Sequence, residues 1–441
     1  MDKVITKDDS RIEKFLSIFS LKVSTRSRGR IIDLLMFLVV LCAWIGNTVI
    51  QLDSIMFYLF SCMAPFLIFA ALNDRQYSKI KWNKFFCVLF LCYVGTFTLG
   101  AIVTKRMGSI VLALTCMMAF PLIAKVTATK EKQMMLIGSL MNALISNFYI
   151  IVIISVLIID PDQQRQYSGI MINPNTLGLI CLTTLIAFVF KIYFASRGIH
   201  YIGAGVALAV LFFTQSRTSL ICAVVLLVII LIYVIKNKKY EALKLGKLLI
   251  SVAFMAVMFV LVFHISPALP GGHDYVEKNW IREEVKEGER EVDLESREFD
   301  RLTESMSGDR DFTTGRMAIW EAYIEGIKLS PNDDDTAPVV NGEKLEISAH
   351  NTYIHLAYCF GLLCGVAYLL FNICVGIISL KRLKTNKHFL ALLNLVTVIS
   401  YGIVTLVETS YNFATYNICF MYWLFTFAVT IPDVGEDNTN G

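Results

Sequence analysis

Charge is missing from the long apolar stretches of this chain, and cysteine is missing from its one long polar stretch. Of 441 residues, 17% are charged and 56% hydrophobic. Uncharged runs of about 20 residues exceed the needs of a soluble core and match the thickness of a bilayer. Strict period-two alternation is also missing. That excludes a β-barrel and leaves helices as the way to satisfy the backbone in lipid. All eleven cysteines lie in or beside apolar blocks, from Cys42 to Cys419. None falls between residues 266 and 349, so no disulfide framework is implied there, and no metal-ligand spacing occurs among them. The first 30 residues lack a short apolar core with a small-residue cleavage site, which reads as a cytosolic lead-in. Internal repeats are absent too, and so is a matching pair of Gly/Pro-broken helices, which weighs against a secondary transporter.

What is present is an all-α polytopic bundle. Twelve apolar blocks begin near Ile31, Ser54, Lys84, Gly108, Gln133, Asn175, His200, Thr218, Lys247, Asn351, His388 and Tyr411. The expected organisation is a tail over 1–30, nine crossings over 31–265, a large loop over 266–349, three crossings over 350–431, and a tail over 432–441. The net charge of +4 conceals a strong asymmetry. Residues 266–349 hold 21 acidic and 10 basic residues, a net of −11, and the rest of the chain is at +15. Lys and Arg collect in the N-terminal tail and in every second loop, 26 in all. The alternate short loops hold only Lys105, Arg106, Arg165 and Arg217. The positive-inside rule then places both termini in the cytoplasm and the acidic loop outside. The basic residues report orientation and give no case for a nucleic-acid partner.

The large loop has two characters. Residues 275–305 are dense in Glu and Arg, as a solvated segment would be. From Thr313 onward, Met317, Trp320, Tyr323, Ile324 and Ile327 form one apolar stripe at helical spacing. Thr313 or Thr314 would cap this helix and Pro331 would close it. Asp333, Asp334 and Asp335 follow, but three adjacent acids cannot converge on one metal ion, so no metal site is expected.

Ionisable groups at membrane depth are costly and mark candidate function. On the outer side they are few. Arg165 lies in the third outer loop, ahead of Asn173-Pro174-Asn175. Arg217 sits between two crossings, Arg316 opens the amphipathic helix, His350 and Asn351 open the tenth crossing, and Glu408 ends the eleventh. Each has a plainer reading. Arg217 can snorkel, Arg316 can pair with Asp309 or Asp311, and Asn175 can be only a helix cap. His350 can be an interfacial cap, His355 a core residue, and Glu408 a boundary marker. Together, however, forked guanidinium donors suit a phosphate-like leaving group, and a neutral imidazole suits removal of a proton from an attacking hydroxyl.

The motifs Ser168-Gly169, Asn173-Pro174-Asn175-Thr176-Leu177-Gly178, Ser216-Arg217, Gly315-Arg316-Met317-Ala318-Ile319-Trp320, and His350-Asn351-Thr352-Tyr353-Ile354 with Gly361 occur in that order. In order and spacing they resemble the O-antigen ligase/polymerase family, over residues 160–410. The resemblance implies a bacterial inner-membrane glycosyltransferase of GT-C type. Such an enzyme uses undecaprenyl-diphosphate-linked glycans at the outer face, without a metal or other cofactor. It also implies diphosphate binding by Arg217 and Arg316 and acceptor activation by His350. Substrate contacts by Arg165, Asn175, Asn351 and Glu408 are an extension beyond the matched motifs. The expected activity is polymerisation of O-antigen, capsule or exopolysaccharide, with the bilayer and a chain-length regulator as partners. Ligation to lipid A-core is the alternative within the class, and a lipid flippase or transporter the alternative outside it.

Overall fold

The computed structural model describes residues 13–48, 54–77, 80, 82–127, 129–158, 166–195, 197–236, 250, 252–258, 260–261, 316–333, 336–340, 343–345, 348–386 and 389–432. Its helices are α1 Thr25–Ile45, α2 Ser54–Leu72, α3 Lys84–Val103, α4 Met107–Val126, α5 Lys130–Ile158, α6 Pro174–Phe194, α7 Gly198–Phe213, α8 Arg217–Lys236, α9 Arg316–Glu325, α10 Thr352–Phe360, α11 Leu362–Asn386, α12 Phe389–Val407 and α13 Asn417–Phe425. A short antiparallel hairpin, β1 Val339–Val340 with β2 Glu343–Lys344, lies between α9 and α10.

Among the described residues, seven helices are long and apolar enough to cross a membrane: α2 to α6, α11 and α12. Three apolar segments are shorter: α7, the first part of α8, and α13 with its π-helical extension Thr426–Thr430. α1 is long enough, but it opens with Arg26, Arg28, Arg30 and Asp33. The block expected near Lys247 lies partly outside the described residues, and its described part, within 250–261, is helical. The described residues therefore form a polytopic helical bundle, with seven helices of full spanning length among them.

Several boundaries differ from the sequence expectation: α1 begins at Thr25, inside the expected tail, and α13 at Asn417 rather than near Tyr411. The tenth block does not rise as one helix from Asn351. It is broken at Gly361, whose φ of +92° suits glycine, and an added Cβ there would stand 2.5 Å from the Leu329 carbonyl oxygen. The amphipathic helix ends at Glu325, ahead of Gly326 and well before Pro331. The expected Thr313/Thr314 cap lies outside the described residues. On that helix Tyr323 is buried, while Met317 and Ile324 are exposed, so the stripe is only partly packed against protein.

Lipid is as apolar as a leucine side chain, so helices in a bilayer associate through close packing and ring geometry more than through apolar burial. Here α3, α11 and α13 interlock through aromatic rings. Tyr93 lies 4.4 Å from Tyr368, and Phe371 lies 5.7 Å from Trp423, centroid to centroid. Phe427, in the extension of α13, lies 5.4 Å from Phe90. α6 and α12 are the most enclosed of the long helices, 72% buried along their apolar windows against 44–50% for the others. Each brings one candidate residue to the end of the bundle that carries the short, charge-poor connections: Asn175 at the start of α6 and Glu408 just past α12.

Candidate active site

Asn173 caps α6, its side chain accepting from the Asn175 amide at 2.8 Å, and Pro174 takes the first helical position, where no N–H is needed. The cap is thus Asn173, not Asn175 as the plainer reading had it. With the capping role filled, the Asn175 side chain donates its Nδ2 to Glu408 Oε1 at 3.0 Å. Two further groups meet the same carboxylate. Arg316 Nη2 donates to Oε1 at 2.9 Å, and His350 Nδ1 lies 3.2 Å from Oε2. The partner of Arg316 is therefore a residue 92 positions away in sequence. Asp309 and Asp311, the neighbours first considered, lie outside the described residues.

The Glu408 side chain is 14% exposed, that of Arg316 21% and that of His350 28%. A carboxylate this enclosed needs counter-charge and hydrogen bonds to offset its lost hydration. Arg316 supplies the charge, and Asn175 and His350 supply further partners.

The backbone under this cluster is tightly held. Thr352 Oγ1 donates to the Glu408 carbonyl at 2.8 Å and accepts from the Ser410 amide at 2.9 Å. Tyr401 donates its hydroxyl to the Ser410 carbonyl at 2.6 Å. Asn351 caps α10, accepting from the Tyr353 and Ile354 amides, and its Nδ2 donates to the Leu406 carbonyl at 2.8 Å. Asn351 is 8% exposed and spends its side chain on these bonds. Its contribution to the site is the fixed distance between the start of α10 and the end of α12. His350 precedes this cap with a φ of +46°, a left-handed conformation that histidine visits more readily than most side chains.

Arg217 opens α8 at the same end of the bundle, and no direct contact joins it to Glu408. Its placement follows from two packing contacts. Ser216 sits so close to α6 that a Cβ on Gly178 would stand 2.6 Å from the Ser216 Cβ, and Gly178 is one turn below Asn175. α8 also runs beside α12, where Cys222 Sγ lies 3.8 Å from the Ser400 carbonyl. Among the described residues, Arg217 Nη1 is buried without a hydrogen-bond partner, which is costly for a guanidinium unless an anion completes it. Arg165 lies outside the described residues.

His355, one turn into α10, is not part of this cluster. Its ring lies 5.7 Å from that of Tyr411, and Cys359 Sγ is 3.6 Å from its Nε2. Its own surface is only partly covered, yet the protein around it strips its hydration, and with Arg106 nearby this pushes its pKa down to about 4. It is a neutral interior histidine. Tyr416 lies in the segment between α12 and α13. Burial raises its pKa, and the nearby Glu408 charge adds to the shift. Sequence reasoning missed Thr352, Tyr401 and Tyr416. Only Thr352, inside the motif His350-Asn351-Thr352-Tyr353-Ile354 but given no role there, held any hint.

No curated protein matches this chain. Residues 202–369 match the family model described as O-antigen ligase. The matched segment contains Arg217, Arg316, His350 and Asn351, begins after Asn175, and stops before Glu408. Over residues 202–369 the chain therefore carries a domain matching the O-antigen ligase model, consistent with an O-antigen ligase/polymerase-like family.

Proposed function

We propose that the protein is a polysaccharide polymerase of a bacterial inner membrane. In this reading it transfers a glycan from an undecaprenyl-diphosphate carrier to a hydroxyl of a second lipid-linked repeat unit at the outer face. The observation that carries the reading is the Glu408 carboxylate, which gathers Arg316, His350 and Asn175 at one end of the bundle. The acceptor oxygen bonds to the anomeric carbon as the bond from that carbon to the diphosphate oxygen breaks. The proton lost by the acceptor hydroxyl passes to His350 Nε2. Glu408 favours this by holding the proton on Nδ1, which leaves the Nε2 lone pair free for the acceptor. The departing diphosphate carries negative charge. Arg217, with its unpartnered buried nitrogen, and the donors of Arg316 not committed to Glu408 are suited to bind it in forked geometry. An apolar cavity of about 570 Å³ beside α1, α2 and α4, lined by Ala43, Ile55, Leu59 and Val111 among others, has room for part of a carrier chain.

The description of the matched family favours a second reading in the same class, a ligase that delivers finished glycan to lipid A-core. Deleting the gene separates the two. A polymer-length ladder that collapses to one repeat unit supports the polymerase. Full-length polymer retained on its carrier, with no attachment to lipid A, supports the ligase. Repeat units that fail to reach the outer face would overturn both in favour of a flippase. Replacing Arg217 or Arg316 by Lys keeps the charge and loses the fork, so transfer should fall at least tenfold in each variant. Full activity in both would remove the diphosphate role.

A further inference from the structure

A small cavity lies between the end of α1, the first three turns of α6 and the start of α13. It is about 20 Å³, lined by Trp44, Asn47, Thr176, Thr183, Tyr416 and Asn417 together with apolar side chains. Two of these residues are buried with orphaned polar atoms. Among the described residues, Trp44, 2% exposed, has no hydrogen-bond partner for its Nε1. Asn417, 6% exposed, has none among them for either its Oδ1 or its Nδ2. Two donors and one acceptor thus go unmet among the residues that line one cavity. A buried polar atom left unpaired costs roughly 1–3 kcal/mol, and native proteins rarely leave three together unfilled. Neighbouring polar groups are already committed: Asn47 Nδ2 donates to the Ala43 and Thr415 carbonyls, and Thr183 donates back to its own helix.

We infer that this cavity is a binding site for one hydroxyl group, which accepts from Trp44 Nε1 or Asn417 Nδ2 and donates to Asn417 Oδ1. The volume fits a single water-sized group, since the centre of a water needs roughly 10–15 Å³ of free space. A hydroxyl is both donor and acceptor, which matches the mixed set of orphaned atoms; an anion could not satisfy Asn417 Oδ1 and a cation could not satisfy the N–H groups of Trp44 and Asn417. Two sources share this chemistry: an ordered water, or a hydroxyl of the glycan being transferred. The second source rests on the glycosyl-transfer reading above. The first does not. Thr176 adjoins Asn175, which bonds Glu408, so the cavity adjoins the helix start that carries part of the proposed reaction centre.

The test uses the full-length protein in lipid nanodiscs with two variants, Trp44→Phe, which removes only the donor with part of the ring, and Asn417→Leu, which replaces the amide with an apolar isostere. Thermal unfolding is measured on each with and without the glycan donor, and glycan transfer is measured as a function of donor concentration. Trp44→Phe also loses packing, so Asn417→Leu decides. If the cavity holds a hydroxyl, Asn417→Leu lowers Tm, because a satisfied bond is lost. If its Tm is unchanged or raised in both conditions, the cavity is dry and the proposal is overturned. A Tm lowered with and without donor, at unchanged KM, identifies the occupant as water. A Tm lowered only with donor, with a KM raised about tenfold or more, identifies a substrate hydroxyl. The Tm result stands whether or not the protein transfers glycans, so failure of this inference is distinguishable from failure of the functional reading.

Discussion

Glu408→Gln is the most informative single change, because it removes a charge while keeping nearly the same shape. In the native protein one carboxylate accepts from Arg316 at 2.9 Å and from Asn175 at 3.0 Å, and faces His350 Nδ1 at 3.2 Å. The amide that replaces it has one acceptor oxygen where there were two, and it turns an N–H toward either His350 or the Arg316 and Asn175 donors. Each charge-assisted hydrogen bond contributes about 1.5–3 kcal/mol. Losing the bond on one side, to Arg316 or to His350, weakens the arrangement by about 1.5–3 kcal/mol, and at about 1.4 kcal/mol per decade this predicts a transfer rate lower by roughly 10–10². Glu408→Asp is the matched control: it keeps the charge but is one methylene shorter, and it should recover part of the loss by holding either Arg316 or His350, not both. The assay is single-turnover transfer between lipid-linked glycans in nanodiscs, with size-exclusion behaviour and Tm measured alongside. A correctly folded Glu408→Gln protein that turns over within threefold of wild type would refute the assignment of the carboxylate as the organiser of this site.

Gly178→Ala touches no candidate group, yet its Cβ would meet the Ser216 Cβ at 2.6 Å and the Ser216 Oγ at 2.9 Å. The start of α8 must then move away from α6 and carry Arg217 with it. A fall in transfer of at least tenfold is expected, with overpacking of about 1–3 kcal/mol read as a lower Tm. His350→Gly relieves a left-handed φ that costs an L-residue about 1 kcal/mol, so it should lose transfer while unfolding no more easily than His350→Ala. A less stable glycine variant would contradict the strain argument. His355 bears on the pH dependence of stability. Its folded pKa of about 4 lies below its ordinary 6.5, so the unfolded chain binds the proton more readily. Stability is therefore fully present above pH 6.5 and is lost progressively as pH falls toward 4. Denaturation midpoints across that range should show this slope in wild type and a shallower one in His355→Phe.

Some of this protein could be read from its residues one after another. Uncharged apolar runs name membrane helices because lipid offers the backbone no hydrogen-bond partner. Asn173-Pro174 marks the start of α6 because capping is local chemistry. Arg217, Arg316 and His350 stood out because charge at the rim of an apolar bundle is costly enough to demand a reason. Tertiary structure alone decided the rest. Nothing in the sequence joins Asn175 to Glu408 across 233 positions, or makes Asn351 a strap between two helices. The break at Gly361 was invisible inside a continuous apolar run, because it depends on the backbone of Leu329 pressing against it from a distant segment. The orphaned amide of Asn417 and indole of Trp44 are unremarkable until folding brings α1 and α13 together. Periodicity and capping act over a few residues and leave their mark in the order of the chain, whereas a carboxylate shared by three partners is a property of packing.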